Sequence, residues 1–386
     1  MNSRERLLIA LEGGVPDRLP ATTHHVLPYF LDKYLDGMDY QDFFDKFGLD
    51  PIRWVIPLKA GDNKRDYIDP QQGDPGFIEQ KRIVSDEWKI ECEELEDPKF
   101  EVKQYSFITP EDTLTMTIKS DEASSMVTEY LIKEKDDIEL LGKYMPHPVC
   151  DNEEVNRTAK EFKDRGIVRG HIPTFDVFGQ PGCWQDAACL VGIEELIMAT
   201  FEDPAWVHEL LSILQKRKLD FIKSMKGANY DLLELGGGHA STTIISPDIF
   251  NRFVAPYDSK LIEVAHQVGQ RIVYHTCGGM MPILDDIAAM KPDAMETFTP
   301  PNMGGDVKNL AEAKERIGDK VCMIGGFDQY NYFNNCSPKE TRDAVRNCFD
   351  QAGENGGYIM APSDHFFDAE LKLLEAYADE ASKCRY

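Results

Sequence analysis

A histidine and a cysteine two positions apart, His275 and Cys277, follow a short apolar run that begins at Ile272. Helix-like segments flank this run, so it predicts a buried parallel strand whose carboxyl end carries both side chains. Residues i and i+2 of an extended chain face the same side, which lets imidazole and thiol converge on one point. Nitrogen plus thiolate sulfur is a ligand pair that suits zinc. The alternative is a buried thiol beside a hydrogen-bonded histidine.

Other ligands of such a zinc site must come from elsewhere in the chain, because zinc takes three or four protein ligands. Apolar segments that alternate with helical ones predict eight strands, namely residues 19–23, 52–56, 167–171, 232–235, 272–274, 294–296, 321–324 and 358–360. Polar residues stand at the ends of several of these segments: His24, His25, His171, Glu234, Glu296, Asp328, Asp364 and His365. The carboxyl ends of barrel strands form the edge where barrel enzymes carry their chemistry.

Regular alternation of strands and helices over this length predicts an α/β protein, a (β/α)8 TIM barrel in one domain over residues 1–386. Residues 66–139 interrupt the pattern with segments of period-two alternation, at 100–107, 113–119 and 126–133. They predict an antiparallel β-rich insertion near the N-terminal part of the barrel, which covers an edge or docks a partner.

The charge of the chain excludes some partners. With 42 basic and 68 acidic residues the formal net charge is −26. Such a surface repels nucleic acid and anionic membranes. Nine cysteines without a repeating spacing indicate reduced thiols and a cytoplasmic protein, and the absence of a signal peptide or a long uncharged apolar run agrees with this expectation.

An ordered set of motifs resembles the uroporphyrinogen decarboxylase superfamily over almost the whole chain apart from the insertion. The motifs are Leu7–Leu11 with Pro16–Pro20, Gln180–Pro181, Phe201–Pro204, Ser246–Pro247, His275-x-Cys277-Gly278, Gly325–Asp328 and Gly357–Ile359. Decarboxylase members of the superfamily carry an N-terminal arginine-rich stretch that clamps the carboxylates of a tetrapyrrole. Residues 22–28 occupy the corresponding region here and contain no arginine.

The other branch of the superfamily consists of zinc-dependent methyltransferases that work with corrinoid proteins, and His275 and Cys277 match its H-x-C motif. In coenzyme M methyltransferases of that branch a second cysteine follows the eighth strand, whereas Asp364 is the nearest match in this chain. One thiolate fewer leaves a harder zinc, better suited to polarising an oxygen than to activating a thiol.

The resemblance therefore implies a zinc-dependent methyltransferase that moves a methyl group from a methoxylated or related small molecule to a corrinoid protein. We assign His275, Cys277, Glu234 and Asp364 to the metal, and His365 to proton donation. We assign three further rim residues, His25, Glu296 and Asp328, to substrate binding.

Several alternatives stay open at this point. They are a decarboxylase or lyase that clamps a smaller acid with Arg53 or Arg169, a methylcorrinoid:thiol methyltransferase, and a scaffold without enzymatic activity. The sequence also leaves a homodimer open.

Overall fold

Seven parallel strands form the central sheet of the protein, in the order in which they occur along the chain. The computed structural model describes residues 1–61, 63–72, 81–122 and 124–386. The strands are β1 (Ile52–Trp54), β2 (Ile167–His171), β3 (Leu232–Gly236), β4 (Ile272–His275), β5 (Ala294–Thr297), β6 (Cys322–Phe327) and β7 (Tyr358–Pro362). Each of these strands was predicted to within a few residues.

The segment around Ala21 closes this sheet into a barrel. Ala21 forms a parallel bridge with Met360 of β7. On its other side, the Ala21 carbonyl accepts a hydrogen bond from the Asp50 amide just before β1 (2.8 Å). The predicted first strand is thus a single bridging residue, and the TIM-barrel fold is confirmed.

The helices pack around this sheet in the predicted alternation. They are Ser3–Leu11, Pro28–Leu35, Tyr40–Phe47, Asp137–Tyr144, Asn152–Phe162, Cys183–Val191, Ile193–Glu202, Pro204–Ser224, Pro247–Ile249, Ala255–Gln267, Leu284–Ala289, Leu310–Ile317, Gln329–Tyr332, Pro338–Ala352 and Leu371–Lys383. A π-helical turn, Phe250–Val254, joins two of them. Pro204, Pro247 and Pro338 occupy first turns, where the missing N–H leaves no helical hydrogen bond unmade.

The insertion contains a four-stranded antiparallel sheet, made of Lys89–Leu95, Glu101–Ile108, Thr113–Ser120 and Ser125–Glu129. Asp66–Ile68 and Ile83–Ser85 form a separate antiparallel pair before it, and Leu58–Lys59 pairs with Val149–Cys150. The buried ring of Phe107 contacts Trp88 and also Phe175, which lies in the loop after β2. The insertion therefore packs against the rim that carries the strand ends.

The domain bounds 1–386 and the insertion bounds 66–139 stay predictions, and part of the insertion (residues 73–80 and 123) lies outside the described residues. Among the helices described, none has the length and apolar content needed to cross a bilayer.

Candidate metal centre

Four side chains with metal-binding chemistry meet at the carboxyl ends of the strands. One ligand atom from each of His24, Glu234, His275 and Glu296 lies within 4.8 Å of the other three. Sheet register explains part of this convergence, because His275 at the end of β4 stands directly opposite Glu296 in β5. Glu234 comes from the neighbouring strand β3, and His24 follows the segment that closes the barrel.

Gly236 allows the end of β3 to lie against the histidine of β4. It pairs with His275 in the sheet register and has φ +110°, a backbone conformation that side chains with a Cβ rarely adopt. A Cβ built at this position would lie 2.3 Å from the His275 carbonyl oxygen. Only glycine lets the two strand ends approach this closely.

Arg169 in β2 holds both carboxylates from inside the barrel. Its Nη1 donates to Glu296 Oε2 (3.0 Å), and its Nη2 donates to Glu296 Oε1 (2.5 Å) and Glu234 Oε2 (2.7 Å). The Arg169 side chain is 1% exposed and that of Glu296 4%. A guanidinium with this fixed fork orients a carboxylate more tightly than a lysine could.

The charges in the cluster keep its carboxylates ionised. Burial raises the pKa of Glu296, but Arg169 and His24 outweigh burial and hold that pKa well below its usual range. Burial likewise raises the pKa of Glu234, and His24, His275 and Arg169 bring it below the ordinary value. Burial lowers the pKa of His275, whereas Glu234 and a hydrogen bond with Cys277 raise it well above the usual value.

The hydrogen bonds of His275 fix which of its nitrogens is available to a metal. Nδ1 lies 3.0 Å from Glu296 Oε1, and because that carboxylate is ionised, Nδ1–H is the donor. The raised pKa of His275 keeps Nε2 protonated as well, so a metal ion at Nε2 would displace that proton while Nδ1–H still donates to Glu296. His275 also hydrogen bonds with the Cys277 thiol, so the predicted pair does meet.

A small cavity beside the cluster shows how much room a cation would have. Its volume is about 10 Å³, and its polar lining includes His24, Arg169, His275, Glu296 and Asp364. That is room for one water-sized group. Among the described residues, buried His24 Nδ1 has no hydrogen-bond partner, and Glu296 Oε1 lies 3.6 Å away.

The donor types also fit a divalent cation. Imidazole nitrogens and carboxylate oxygens bind zinc at about 2.0–2.2 Å, which puts neighbouring ligands of a tetrahedral site roughly 3.4 Å apart. Two ligand atoms at the 4.8 Å limit would therefore draw together by about 1.4 Å to bind the same ion. We conclude that the residues present fit such an ion.

The other predicted residues lie at different distances from this cluster. Asp364 lines the small cavity, whereas Cys277 contacts His275 without belonging to the four-residue group. Asp328 accepts hydrogen bonds from Asn302 and Asn331 and lines a separate cleft of about 510 Å³.

Two further histidines extend the cluster along the rim. The His25 ring stacks between Trp54 (centroids 4.5 Å apart) and His365 (5.1 Å), and His365 lies 5.6 Å from His24. Burial and the neighbouring His24 lower the pKa of His25 well below its usual value. The same two causes lower the pKa of His365 to about 4. Both rings are therefore neutral near pH 7.

Two members of the four-residue group, His24 and Glu296, had no place in the predicted ligand set, and Glu296 was assigned to substrate binding instead. His24 was only part of a strand-end pair, and the chain offers no pattern that separates it from His25. Arg169 was considered as a clamp for a substrate acid, whereas it binds Glu234 and Glu296. An arginine in an otherwise apolar strand was the available signal, since buried charge requires a buried partner.

Comparison with known protein families shows which family this chain belongs to. The uroporphyrinogen decarboxylase (URO-D) family model matches residues 109–372, more than half of the sequence. The chain belongs to the uroporphyrinogen decarboxylase family. Within this family, it is 24% identical over 269 residues to a uroporphyrinogen decarboxylase of Vibrio campbellii, covering 66% of this chain and 69% of that protein.

The sequence is also similar to that of a methyltransferase. A methylated-thiol–coenzyme M methyltransferase of Methanosarcina mazei is 22% identical over 208 residues, which are 54% of this chain and 52% of that one. A solved methyltransferase structure from Methanosarcina mazei superimposes with a TM-score of 0.63 at 14% identity and covers 99% of both chains. This likeness shows the shared fold.

Proposed function

We propose that the protein is a metal-dependent methyltransferase that passes a methyl group from a methoxylated or related small molecule to a corrinoid protein. The observation that carries this proposal is the convergence of four metal-binding side chains at the barrel rim, with the Cys277 thiol in contact with one of them. The URO-D family includes both decarboxylase and methyltransferase relatives, so the choice rests on the site.

Zinc is the metal that suits these donors best. Two members of the four-residue group, His275 through Nε2 and Glu234, would hold it together with the Cys277 thiolate, and Asp364 is the further carboxylate at the same cavity. Glu296 then orients His275 through Nδ1, and Arg169 holds Glu296. When bound, the cation supplies Lewis acidity at the ether oxygen of the donor.

In the proposed reaction a methyl group leaves an oxygen atom, and that oxygen must finally be protonated. The methyl C–O bond breaks with its electron pair left on oxygen, and a reduced corrinoid on the partner supplies the pair for the new bond to carbon. His365 stands at the same rim, and its Nδ1 has no hydrogen-bond partner among the described residues. It would donate a hydrogen bond to the departing oxygen, which finally takes a proton from water.

The geometry disfavours decarboxylation of an acidic substrate. A carboxylate substrate requires a free cationic clamp. Arg169 is fully buried and engaged with two glutamates, and Arg53 is exposed in the next strand. The guanidinium of Arg169 is therefore not free to bind a substrate carboxylate, and Arg53 does not line the small cavity beside the cluster.

Methyl transfer from a methylated corrinoid to a thiol is the second candidate. A soft thiolate ligand favours activation of a thiol, and Cys277 lies at the edge of the cluster. The similarity to a relative named for methylated thiols also supports this candidate.

A donor screen separates the two candidates. The zinc-loaded protein is incubated with cobalt(I) cobalamin and either methoxylated aromatics or methylated thiols, and methylcobalamin is followed by its absorbance. We expect methylcobalamin from a methoxylated donor, dependent on metal. Turnover with methylated thiols alone would favour the second candidate, and release of carbon dioxide from an acid without methyl transfer would contradict both.

A further inference from the structure

The turn that carries Cys277 is held by side chains from neighbouring rim loops. The Gly278 amide donates to Thr299 Oγ1 (3.3 Å), and the Gly279 amide donates to Thr243 Oγ1 (2.8 Å). Gly278 itself has φ +111°, and a Cβ there would lie 2.6 Å from Ser241 Oγ. The turn is therefore closely packed on one side and hydrogen bonded on the other.

One short segment, Glu296 to Thr299, makes hydrogen bonds to His275, Thr276 and Gly278, the residues on either side of Cys277. The Glu296 carboxylate accepts from His275 Nδ1, and its carbonyl accepts from the Thr276 amide (3.1 Å). Thr297 Oγ1 donates to the Thr276 carbonyl (3.0 Å). Together with the bond from Gly278 to Thr299, these contacts fix the positions on both sides of Cys277.

The two threonine hydroxyls form a directed chain. Each hydroxyl has one hydrogen to donate, and the Thr297 hydroxyl donates it to the Thr276 carbonyl. Thr299, whose Oγ1 lies 2.8 Å from that of Thr297, must therefore donate to Thr297 while it accepts from Gly278. Both threonines are at most 5% exposed, so water does not replace these bonds readily.

Phe298, between the two threonines, adopts a strained backbone. Its φ is +57°, although it is bulky and only 1% exposed. A bulky residue in the left-handed region is strained, and such strain persists only where the surroundings over-determine the geometry. Here the surroundings are the contacts of its two neighbours with the Cys277 turn.

We propose that Glu296–Thr299 is a template that sets the position of the Cys277 thiol relative to His275, with Thr299 as the positioning residue for the thiol. This inference rests on the proposed metal site for its purpose. Its geometric content, a Cys277 turn held in place by the hydrogen bond from the Gly278 amide to the Thr299 hydroxyl, is independent of metal.

Thr299→Val tests the template because it keeps the shape of the side chain and removes the hydroxyl. Thr299→Ser restores the hydroxyl. Thr341→Val is the matched control, since Thr341 is fully buried and its hydroxyl donates to the Tyr332 carbonyl (3.0 Å) outside the template and the turn it holds. Thr297→Val provides a second disrupting variant should Thr299→Val fail to fold.

The first readout is the alkylation rate of Cys277 by iodoacetamide in metal-free protein, resolved from the other cysteines by peptide mass spectrometry. We expect the rate to rise at least fivefold in Thr299→Val and to stay within twofold of wild type in Thr299→Ser and Thr341→Val. An unchanged rate in both Thr299→Val and Thr297→Val would overturn the template.

The second readout is cobalt(II) added to metal-free protein, because thiolate ligation gives a near-ultraviolet charge-transfer band. We expect the band in wild type, at least tenfold weaker cobalt affinity in Thr299→Val, and recovery in Thr299→Ser. Equal affinity and band in wild type and Thr299→Val would count against the template. Wild-type protein that binds no cobalt would defeat the proposed metal site, while the alkylation rates still decide the template.

Discussion

Arg169 and Glu296 form a buried two-point ion pair across the interior of the barrel. They lie on β2 and β5, with two strands between them in the sheet, and both Nη atoms of Arg169 contact the carboxylate. Arg169 also binds Glu234 from β3, so one cation aligns two carboxylates at the rim. The pair therefore connects the architecture of the barrel to the orientation of the His275 ring.

Removal of this cation should destabilise the metal-free protein strongly. Arg169→Met leaves two buried carboxylates without their partner, and breaking a buried ion pair in this way costs about 3–5 kcal/mol. Arg53→Met, at an exposed position in β1, is the control and should change stability by less than about 0.5 kcal/mol. Urea unfolding measures both, and a loss below about 1 kcal/mol in Arg169→Met would show that the pair is dispensable.

Glycine at position 236 should be essential for the site, with Gly227 as its control. Both have positive φ (+110° and +90°), but a Cβ at Gly236 meets the His275 carbonyl whereas one at Gly227 meets nothing within 4 Å. Gly227→Ala should cost about 1 kcal/mol through backbone strain alone. Gly236→Ala should cost several times more and reduce metal content. Equal losses in the two variants would contradict the close approach of β3 and β4.

Asp258 should give the protein a distinct pH dependence of stability. This fully buried carboxyl accepts hydrogen bonds from the Tyr274 hydroxyl (2.9 Å) and the Cys183 amide (3.3 Å). Burial raises the pKa of Asp258 from 3.8 to about 6. Because the folded pKa is the higher one, the stabilisation is fully present below pH 3.8 and is lost as pH rises through about 6.

The loss near pH 7 amounts to about 3 kcal/mol for a difference of roughly two pKa units. Asp258→Asn cannot ionise; its Oδ1 can accept from the Cys183 amide while its Nδ2 donates to the Tyr274 hydroxyl oxygen. Its stability relative to wild type should therefore increase by most of that amount between pH 4 and pH 7, as measured by urea unfolding at each pH. A constant difference across this range would refute the assignment.

His365 should matter most for donors with a poor leaving group. If it donates a hydrogen bond to the departing oxygen, His365→Ala should lower turnover on the order of 10²-fold for basic leaving oxygens. The loss should shrink as the leaving phenol becomes more acidic, and metal content should not change. A loss that is equal for all leaving groups would remove this role from His365.

The sequence was sufficient to predict the barrel because each strand is a short apolar run between helical segments with clear caps and prolines. The helices Pro28–Leu35 and Tyr40–Phe47, for example, lie between the first two predicted strands, at 19–23 and 52–56. The first strand was harder, since only Ala21 forms a sheet bridge. A pattern of apolar residues does not reveal how many of them pair with a neighbouring strand.

The prediction placed the site residues at the carboxyl ends of the strands, but it did not say which of them contact one another. His275 and Glu234 were predicted as ligands and do meet, yet Glu296, assigned to substrate, lies equally close. These distances depend on strand register and on Arg169, which crosses the barrel. Register is a property of the closed sheet, so no local pattern around Glu296 could distinguish it from Asp328.

Metal content tests the central claim most directly. Purified wild-type protein, loaded with zinc and then dialysed, should retain one equivalent by elemental analysis. The double variant His275→Ala, Cys277→Ala should retain less than a tenth of that amount, while His208→Ala, an exposed helical control, should retain all of it. One equivalent of zinc in the double variant, or none in the wild type, would contradict the account.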